Sequence, residues 1–346
     1  MRTNELEPIA RRLRLDAVLV ADPANIRALT GIACDNAILQ LSLGPGSASV
    51  RIFTDFRYVP MVHRVAPELK CGDIRRLGRG RSRLTSCTTR IGYEPSIPHS
   101  RFLAWRKLFP LAKFVDVSGE IAAIRAVKTA DEIAGLRAAE RLNCELWETA
   151  RNLFRAGMTE REMARIIRKL MVERGDGEAF DTIVCVGRNA AECHHEPDDT
   201  VWNGREPVLV DMGVKLNGFC SDLTRNVVPK RPRPLYRQVY DLVQAANRAA
   251  IAAARPGITG RQLDKVARDV IRKGGFGRCF GHSLGHGVGY EIHEAPYASS
   301  RSETVLAPGM LVTIEPGVYL EGNLGVRIED LILVTETGCE VLSRRS

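Results

Sequence analysis

The chain has 346 residues, 45% of them apolar, with a formal net charge of +9 and a pI near 9.2. That length allows two domains, each with its own core. The basic excess is interleaved with Asp and Glu, and no apolar run reaches the roughly 18 residues of a membrane span, so neither nucleic acid nor membrane is an expected partner.

The N-terminal segment MRTNELEPIARRL lacks the apolar stretch of a secretory signal. Residues 1–14 read as an amphipathic helix and DAVLVAD (16–22) as a strand. SVRIFTD (49–55) reads as a second strand and residues 56–66 as a second helix, an α/β pattern. Arg75, Arg76, Arg79, Arg81 and Arg83 form the densest basic stretch. Few aromatics accompany it, so it reads as a solvated loop. Composition shifts after VDVSGEI, and a long helical pattern runs from Lys128 to about Phe154. The expected boundary lies at 122–127, giving domains 1–122 and 123–346. Nine cysteines are scattered singly, an odd number without CxxC spacing, which predicts reduced thiols and a cytoplasmic protein.

The second domain contains an internal repeat. GMTEREMARIIRKLMVERG (157–175) aligns with GITGRQLDKVARDVIRKGG (257–275), Thr159 on Thr259 and Arg168 on Arg268. Each copy opens on Gly-x-Thr, with the Thr suited to a helix N-cap. Each follows another helical segment (128–155 and 234–254) and precedes strand-like runs. Those runs carry Asp211 and Asp222 after the first copy, and Glu315 and Glu329 after the second.

VLVDMG and GFCSDLTRNVV flank a turn at Lys215–Gly218. Two registers are compatible with it. If Asn217 and Gly218 are central, Met212 faces Leu223 and Asp211 is a diagonal neighbour of Asp222. If Leu216 and Asn217 are central, the two aspartates are directly opposed. Either register puts both on one face, where like charges destabilise unless a cation neutralises them. Glu315 and Glu329 flank a loop at 321–325, and an odd-length loop centred near Gly322 would pair them. Alternation alone decides whether Glu329 or Asp330 points inward. His286, within GHGVG, adds an imidazole, and five of the seven histidines fall in 194–195 and 282–293. Four carboxylates and one histidine are a donor set for two divalent cations.

Together these segments resemble the metal-dependent pita-bread peptidases of the aminopeptidase P and prolidase (Xaa-Pro dipeptidase) branch. NIRALTGIACDNAILQL (25–41) and IFTDFRYV (52–59) are similar to that branch's creatinase-type N-terminal domain. IRAVKTADEIAGLRAAE (124–140) is similar to its first catalytic helix, and FDTIVCVGRNAAECHHEP (180–197) to its substrate loop. GHSLGHGVGYEIHEAP (281–296), TIEPGVY and GVRIEDLILV complete the set. The resemblance implies an α/β creatinase-like domain followed by an α+β pita-bread domain with a pseudo-twofold repeat. It implies that Asp211 binds one metal, that Asp222 and Glu329 bridge two, and that His286 and Glu315 bind the other. His194 and His293 would contact substrate or the tetrahedral intermediate. His282 would support them, and Arg327 would act behind the metals or on a substrate carboxylate. His195 reads instead as an exposed loop residue. Glu192–Cys193 replaces the Leu-Pro pair frequent before the loop histidine. No base or orienting group marks Cys193 as a nucleophile.

The implied activity is hydrolysis of the Xaa-Pro bond at the N-terminus of dipeptides or short peptides, by a metal-bridging hydroxide, in a homodimer. Metal binding can bring the pKa of water from 15.7 to about 7, and a carboxylate such as Glu315 can carry a proton to the leaving nitrogen. The oxygen-rich donor set favours manganese (Mn2+), with cobalt, zinc and iron as alternatives. Competing readings are a methionine aminopeptidase, a creatinase-like or lyase-like enzyme on another small substrate, and a non-catalytic peptide-binding relative. The N-terminal domain argues against the first, and the full donor set against the last.

Overall fold

The computed structural model of the protein describes residues 1–44, 47–77 and 89–343. Arg79, Arg81 and Arg83 of the basic stretch lie outside them, as does Cys87. Contacts divide the chain into Met1–Arg125 and Ala126–Ser346.

In the first unit, α1 (Leu6–Arg12) leads into β1 (Ala17–Val20), α2 (Pro23–Thr30), β2 (Ala37–Gly44) and β3 (Ser47–Thr54). Then come α3 (Val59–Val65), β4 (Lys70–Asp73), β5 (Arg90–Tyr93), α4 (His99–Leu108), β6 (Lys113–Asp116) and α5 (Ser118–Ala126). The strands form one mixed sheet in the order β4-β3-β2-β1-β5-β6. Every residue of β1 is buried because both faces of the sheet are covered. Val18 and Val20 enter one apolar cluster, Ala17 and Leu19 the other, the period of two expected of a strand. Helix α1 is shorter than the 1–14 expected. Arg14 turns left-handed (φ 53°), and Leu15 N–H bonds back to the Ala10 carbonyl, closing the helix end. Helix α3 starts later than residue 56 because Asp55 Oδ1 accepts from Arg57 N–H and holds a turn.

The second unit is α+β and built twice. Helices α6 (Ala130–Leu153) and α7 (Glu160–Arg174) pack with β7 (Ile183–Val186) and β8 (Val208–Met212). The short strands β9 (Lys215–Leu216) and β10 (Phe219–Cys220) form a hairpin that leads to β11 (Leu223–Val227), and β11, β8 and β7 make one antiparallel sheet. Helices α8 (Pro234–Ala253) and α9 (Gly260–Lys273) open the second half, followed by β12 (Gly285–Gly287) and β13 (Glu294–Ala298). Then β14 (Leu311–Ile314), β15 (Gly317–Leu320), β16 (Leu324–Arg327), β17 (Asp330–Val334) and β18 (Cys339–Val341) follow, with β14, β17 and β18 making the second three-stranded sheet. Each half has its own apolar core.

The repeat is expressed in chemistry as well as in sequence. Thr159 and Thr259 both close capping boxes, with Glu162 and Gln262 as the reciprocal partners. Asn143 on α6 donates to the Met212 carbonyl at 2.9 Å, and Asn247 on α8 donates to the Ile314 carbonyl at 3.0 Å. Each buried amide thus ties a long helix to the end of the strand beside the acidic residues. Thr159→Ala and Thr259→Ala are each expected to cost about 1 kcal/mol. Because the two caps lie in separate halves of the domain and share no partner, the double variant should lower the urea midpoint by the sum of the two.

Candidate metal centre

Two turns aim the carboxylates. Asn217 (φ 52°) and Gly218 (φ 79°) are the central pair of a hairpin in which Phe219 faces Leu216. Positive φ at both positions is the type I′ geometry that suits the twist of flanking strands. The same register continues to Leu223↔Met212 and Thr224↔Asp211, the first of the two compatible alignments. Asp222 and Asp211 therefore share a face diagonally rather than in direct opposition. In the second half, Leu320↔Leu324 brackets a three-residue loop centred on Gly322. That register passes unbroken from Gly317↔Arg327 to Ile314↔Asp330, so Glu315 and Glu329 stand opposite each other at the joint between two ladders. There Glu315 N–H turns to the Leu284 carbonyl, and Glu329 N–H turns to the Thr224 carbonyl at 3.3 Å. Glu329 points inward and is 2% exposed. Asp330 points the other way and pairs with Arg225 at 2.8 Å.

His286 reaches the same place through a backbone contact that only glycine permits beside it. A Cβ on Gly285 would lie 1.9 Å from the Thr313 carbonyl oxygen. His286 Nδ1 faces the Gly287 carbonyl at 3.1 Å, which assigns the proton to Nδ1. Its Nε2 is left facing Glu315 Oε1 at 3.3 Å and Asp222 Oδ2 at 3.6 Å. One donor atom each from Asp222, His286 and Glu329 falls within a 4.8 Å cluster.

All nine residues singled out from the sequence as metal ligands, catalytic groups or substrate contacts line one cavity of about 780 Å³. His194 and His293 are exposed to it, and the His293 ring packs edge-on against His286, centroids 4.3 Å apart. Burial and the neighbouring His286 hold His293 below the usual imidazole range. His282 sits further back. Its Nδ1 faces the Ser283 carbonyl and its Nε2 meets the Tyr319 hydroxyl, both at 2.8 Å.

The electrostatics are those of a cation site. Burial raises the carboxyl of Asp222 well above its ordinary range, and the charges of Glu329, Asp211 and Glu315 raise it further. Burial and the charges of Glu315 and Asp211 do the same to Glu329. Burial also raises Asp211. For Glu315 burial acts upward too, but the His286 imidazole beside it reverses the direction. Four carboxylates in this space cannot all ionise in water's absence without positive charge between them. Among the described residues, nothing donates to the buried Asp211 Oδ1, although its Oδ2 accepts from Arg327 at 2.6 Å. An acceptor that is buried, anionic and unsatisfied fits a metal ligand better than a structural hydrogen bond. The donor set and the orphaned oxygen fit divalent cations.

Several supporting groups escaped the sequence reading. Thr224 Oγ1 donates to Glu329 at 2.8 Å and accepts from Arg327 Nε at 3.0 Å. Tyr319 links Arg327 to His282. Glu140, fully buried on α6, accepts from Asp222 N–H at 3.1 Å and Ser343 Oγ at 2.6 Å, and burial pushes its carboxyl up to about 7. Glu160, also fully buried, holds His195 at 2.7 Å. His195 is therefore not the exposed loop residue expected, for its side chain is only 10% accessible. The available signal was positional. Glu140 and Asn143 fall on the apolar stripe of α6 with Leu136 and Trp147.

Residues 134–336 match the family model for metallopeptidase family M24, and residues 2–127 match that for the creatinase/prolidase N-terminal domain. The chain is similar to the Xaa-Pro dipeptidase of Pyrococcus furiosus, 37% identical over 258 residues that make up 74% of each chain. Among solved structures it is similar to the prolidase from Pyrococcus furiosus (31% identity, TM-score 0.90, covering 98% of this chain and 99% of that one). It is likewise similar to the Xaa-Pro dipeptidase from Bacillus anthracis (30% identity, TM-score 0.91, covering 100% and 97%).

Proposed function

Because the chain belongs to metallopeptidase family M24, with a creatinase/prolidase N-terminal domain ahead of a pita-bread catalytic domain, we propose that it hydrolyses the Xaa-Pro bond at the N-terminus of dipeptides or short peptides. The observation that carries the reading is one cavity wall on which four carboxylates and the bare Nε2 of His286 converge around an unsatisfied Asp211 oxygen. Asp211 would hold one cation, His286 and Glu315 the other, and Asp222 and Glu329 would lie between them. Divalent cations, when bound there, polarise a carbonyl and lower the pKa of water. Manganese is the proposed native metal, given the oxygen-rich donors.

The chain's own residues supply the rest. A prolyl nitrogen carries no N–H, so recognition cannot use one, and the departing nitrogen must gain a proton. Glu315 takes a proton from the attacking water and delivers it there. His194 and His293, exposed on the same cavity, donate hydrogen bonds to the oxyanion that forms from the carbonyl. His282 orients through Tyr319, which the Arg327 guanidinium holds at 2.9 Å. A reducing cytoplasm and a homodimer complete the proposal. The described cysteines are all free thiols, which supports the compartment, and the assembly is carried by the family resemblance. Among the described residues no helix is long and apolar enough to cross a membrane.

Metal analysis of the purified protein, with assays on Ala-Pro and on a tripeptide beginning Ala-Pro, tests the proposal. Hydrolysis of either that stops on chelation and returns with Mn2+ is expected. Bound metal with neither peptide cleaved would reject it.

A further inference from the structure

We infer that Glu160 and His195 form a latch that sets the position of His194 on the cavity wall. The inference rests on the proposed contact of His194 with substrate, and it concerns residues to which the proposed reaction gives no role.

Glu160 is the first residue of α7 and is completely buried. Its Oε1 accepts from Val186 N–H at 2.6 Å and Asn189 Nδ2 at 2.9 Å. Its Oε2 accepts from His195 Nε2 at 2.7 Å and Asp198 N–H at 3.1 Å. One carboxylate thereby gathers the end of β7, the turn after it and the loop that carries His194. Glu160, His195 and Asp198 also lie close enough together to hold a cation. The hydrogen bonds argue against one, because each Glu160 oxygen already receives two N–H donors and has no lone pair to spare. The cluster is closed by protons.

The internal repeat separates this device from the common frame. Glu160 N–H bonds to the Thr200 carbonyl and Arg161 N–H to Asp198. In the second copy Gly260 N–H bonds to Thr304 and Arg261 N–H to Ser302. The frame is thus present twice, but the carboxylate is present once. A Cβ on Gly260 would lie 2.1 Å from the Tyr297 carbonyl oxygen, so the second half has no room for its counterpart. What the first half has in addition is the segment bearing His194. Helix capping and strand docking do not require a buried Glu at this position. Fixing the middle of that segment does, and His195, the next residue along, is the point of attachment. The Glu192 carboxylate, 3.4 Å from His195 Nδ1, steadies the ring from the solvent side. With His195 drawn to Glu160, the chain direction leaves His194 on the cavity wall. A donor displaced by about 1 Å can cost on the order of 10²-fold in rate, which is the effect the latch would prevent.

The test uses the metal-loaded protein and four variants: His195→Ala, His195→Gln, His194→Ala and the His194→Ala/His195→Ala double. Gln at 195 can still donate to Glu160. His195→Ala is expected to lower kcat on Ala-Pro by about 10- to 100-fold with KM little changed, and His195→Gln to recover most of the loss. In the His194→Ala background, removing His195 should change kcat by less than about twofold, since residues acting as one unit are non-additive. Backbone amide exchange across 192–198 should accelerate in His195→Ala and not elsewhere in the domain. The His195 series leaves the other three donors to Glu160 in place, so it does not depend on whether Glu160→Gln folds. The latch is overturned if His195→Ala costs the same with and without His194, or if exchange in 192–198 is unchanged. If His194→Ala alone leaves kcat intact, the substrate role of His194 falls, and amide exchange still decides the latch.

Discussion

Asp222→Asn is expected to stabilise the metal-stripped protein and to lower kcat/KM of the loaded protein by at least about 10²-fold. The two effects share one cause. Asp222 is 4% exposed, and burial together with the charges of Glu329 and Asp211 places its carboxyl well above the usual range. A group whose pKa is higher folded than unfolded favours the fold below its unfolded pKa, and that contribution is lost as pH rises through the folded value. The metal-stripped wild type should therefore lose stability as pH rises from about 4 towards neutrality. The amide keeps the shape, removes the charge and flattens this slope, so the gain is greatest at neutral pH and vanishes near pH 4. A rise of about 1 kcal/mol at pH 7 corresponds to a midpoint shift of about 2–4 °C for a domain of this size. Activity moves the other way, since even the loss of a residue behind a metal ligand costs about 10–100-fold. Thermal melts of chelated samples from pH 4 to 8, beside kinetics of the loaded samples, measure both. A chelated Asp222→Asn protein less stable than wild type at pH 7 would mean that Asp222 is not held against its charge.

What was legible in the sequence follows from how local each determinant is. The pairing of Asp211 with Asp222 depends on two turn residues, Asn217 and Gly218, and the side of the turn that Gly218 takes distinguishes the two compatible registers. The opposition of Glu315 and Glu329 needs only a three-residue loop centred on Gly322. The duplicated α7 and α9 announce themselves by their caps. The inward choice of Glu329 over Asp330 was not local. It is settled by Arg225, about a hundred residues earlier, which takes Asp330. Glu140 is likewise satisfied by Ser343 from the far end of the chain. His195 looked like a loop histidine because its partner, Glu160, lies on the preceding helix. Buried polar groups depend on donors from distant segments, and periodicity cannot name those donors.

Arg327 poses the sharpest choice between roles, and Arg327→Lys is expected to cost about 2–4 kcal/mol in stability. The side chain is 4% exposed, and each arm of its fork is engaged. Nε donates to Thr224 at 3.0 Å, Nη1 to Tyr319 at 2.9 Å and Nη2 to Asp211 at 2.6 Å. A lysine keeps the charge but cannot span three acceptors with one ammonium. Thr224 would retain its bond to Glu329, while Tyr319 would lose the donor that orients it towards His282. The expected result is a lower urea midpoint at fixed metal occupancy, together with a fall in kcat of at least about tenfold from the loosened Tyr319–His282 pair and the shifted Asp211. Two substrates discriminate the alternatives, Ala-Pro and its C-terminal amide. A guanidinium whose three nitrogens are held by Thr224, Tyr319 and Asp211 is fixed as a support for those groups, so the variant should lose the same factor on both. If Arg327 instead grips the substrate's terminal carboxylate, KM for Ala-Pro alone should rise while the amide is unaffected. Equal losses would place Arg327 behind the acidic cluster, where its charge offsets part of the repulsion that the four carboxylates generate.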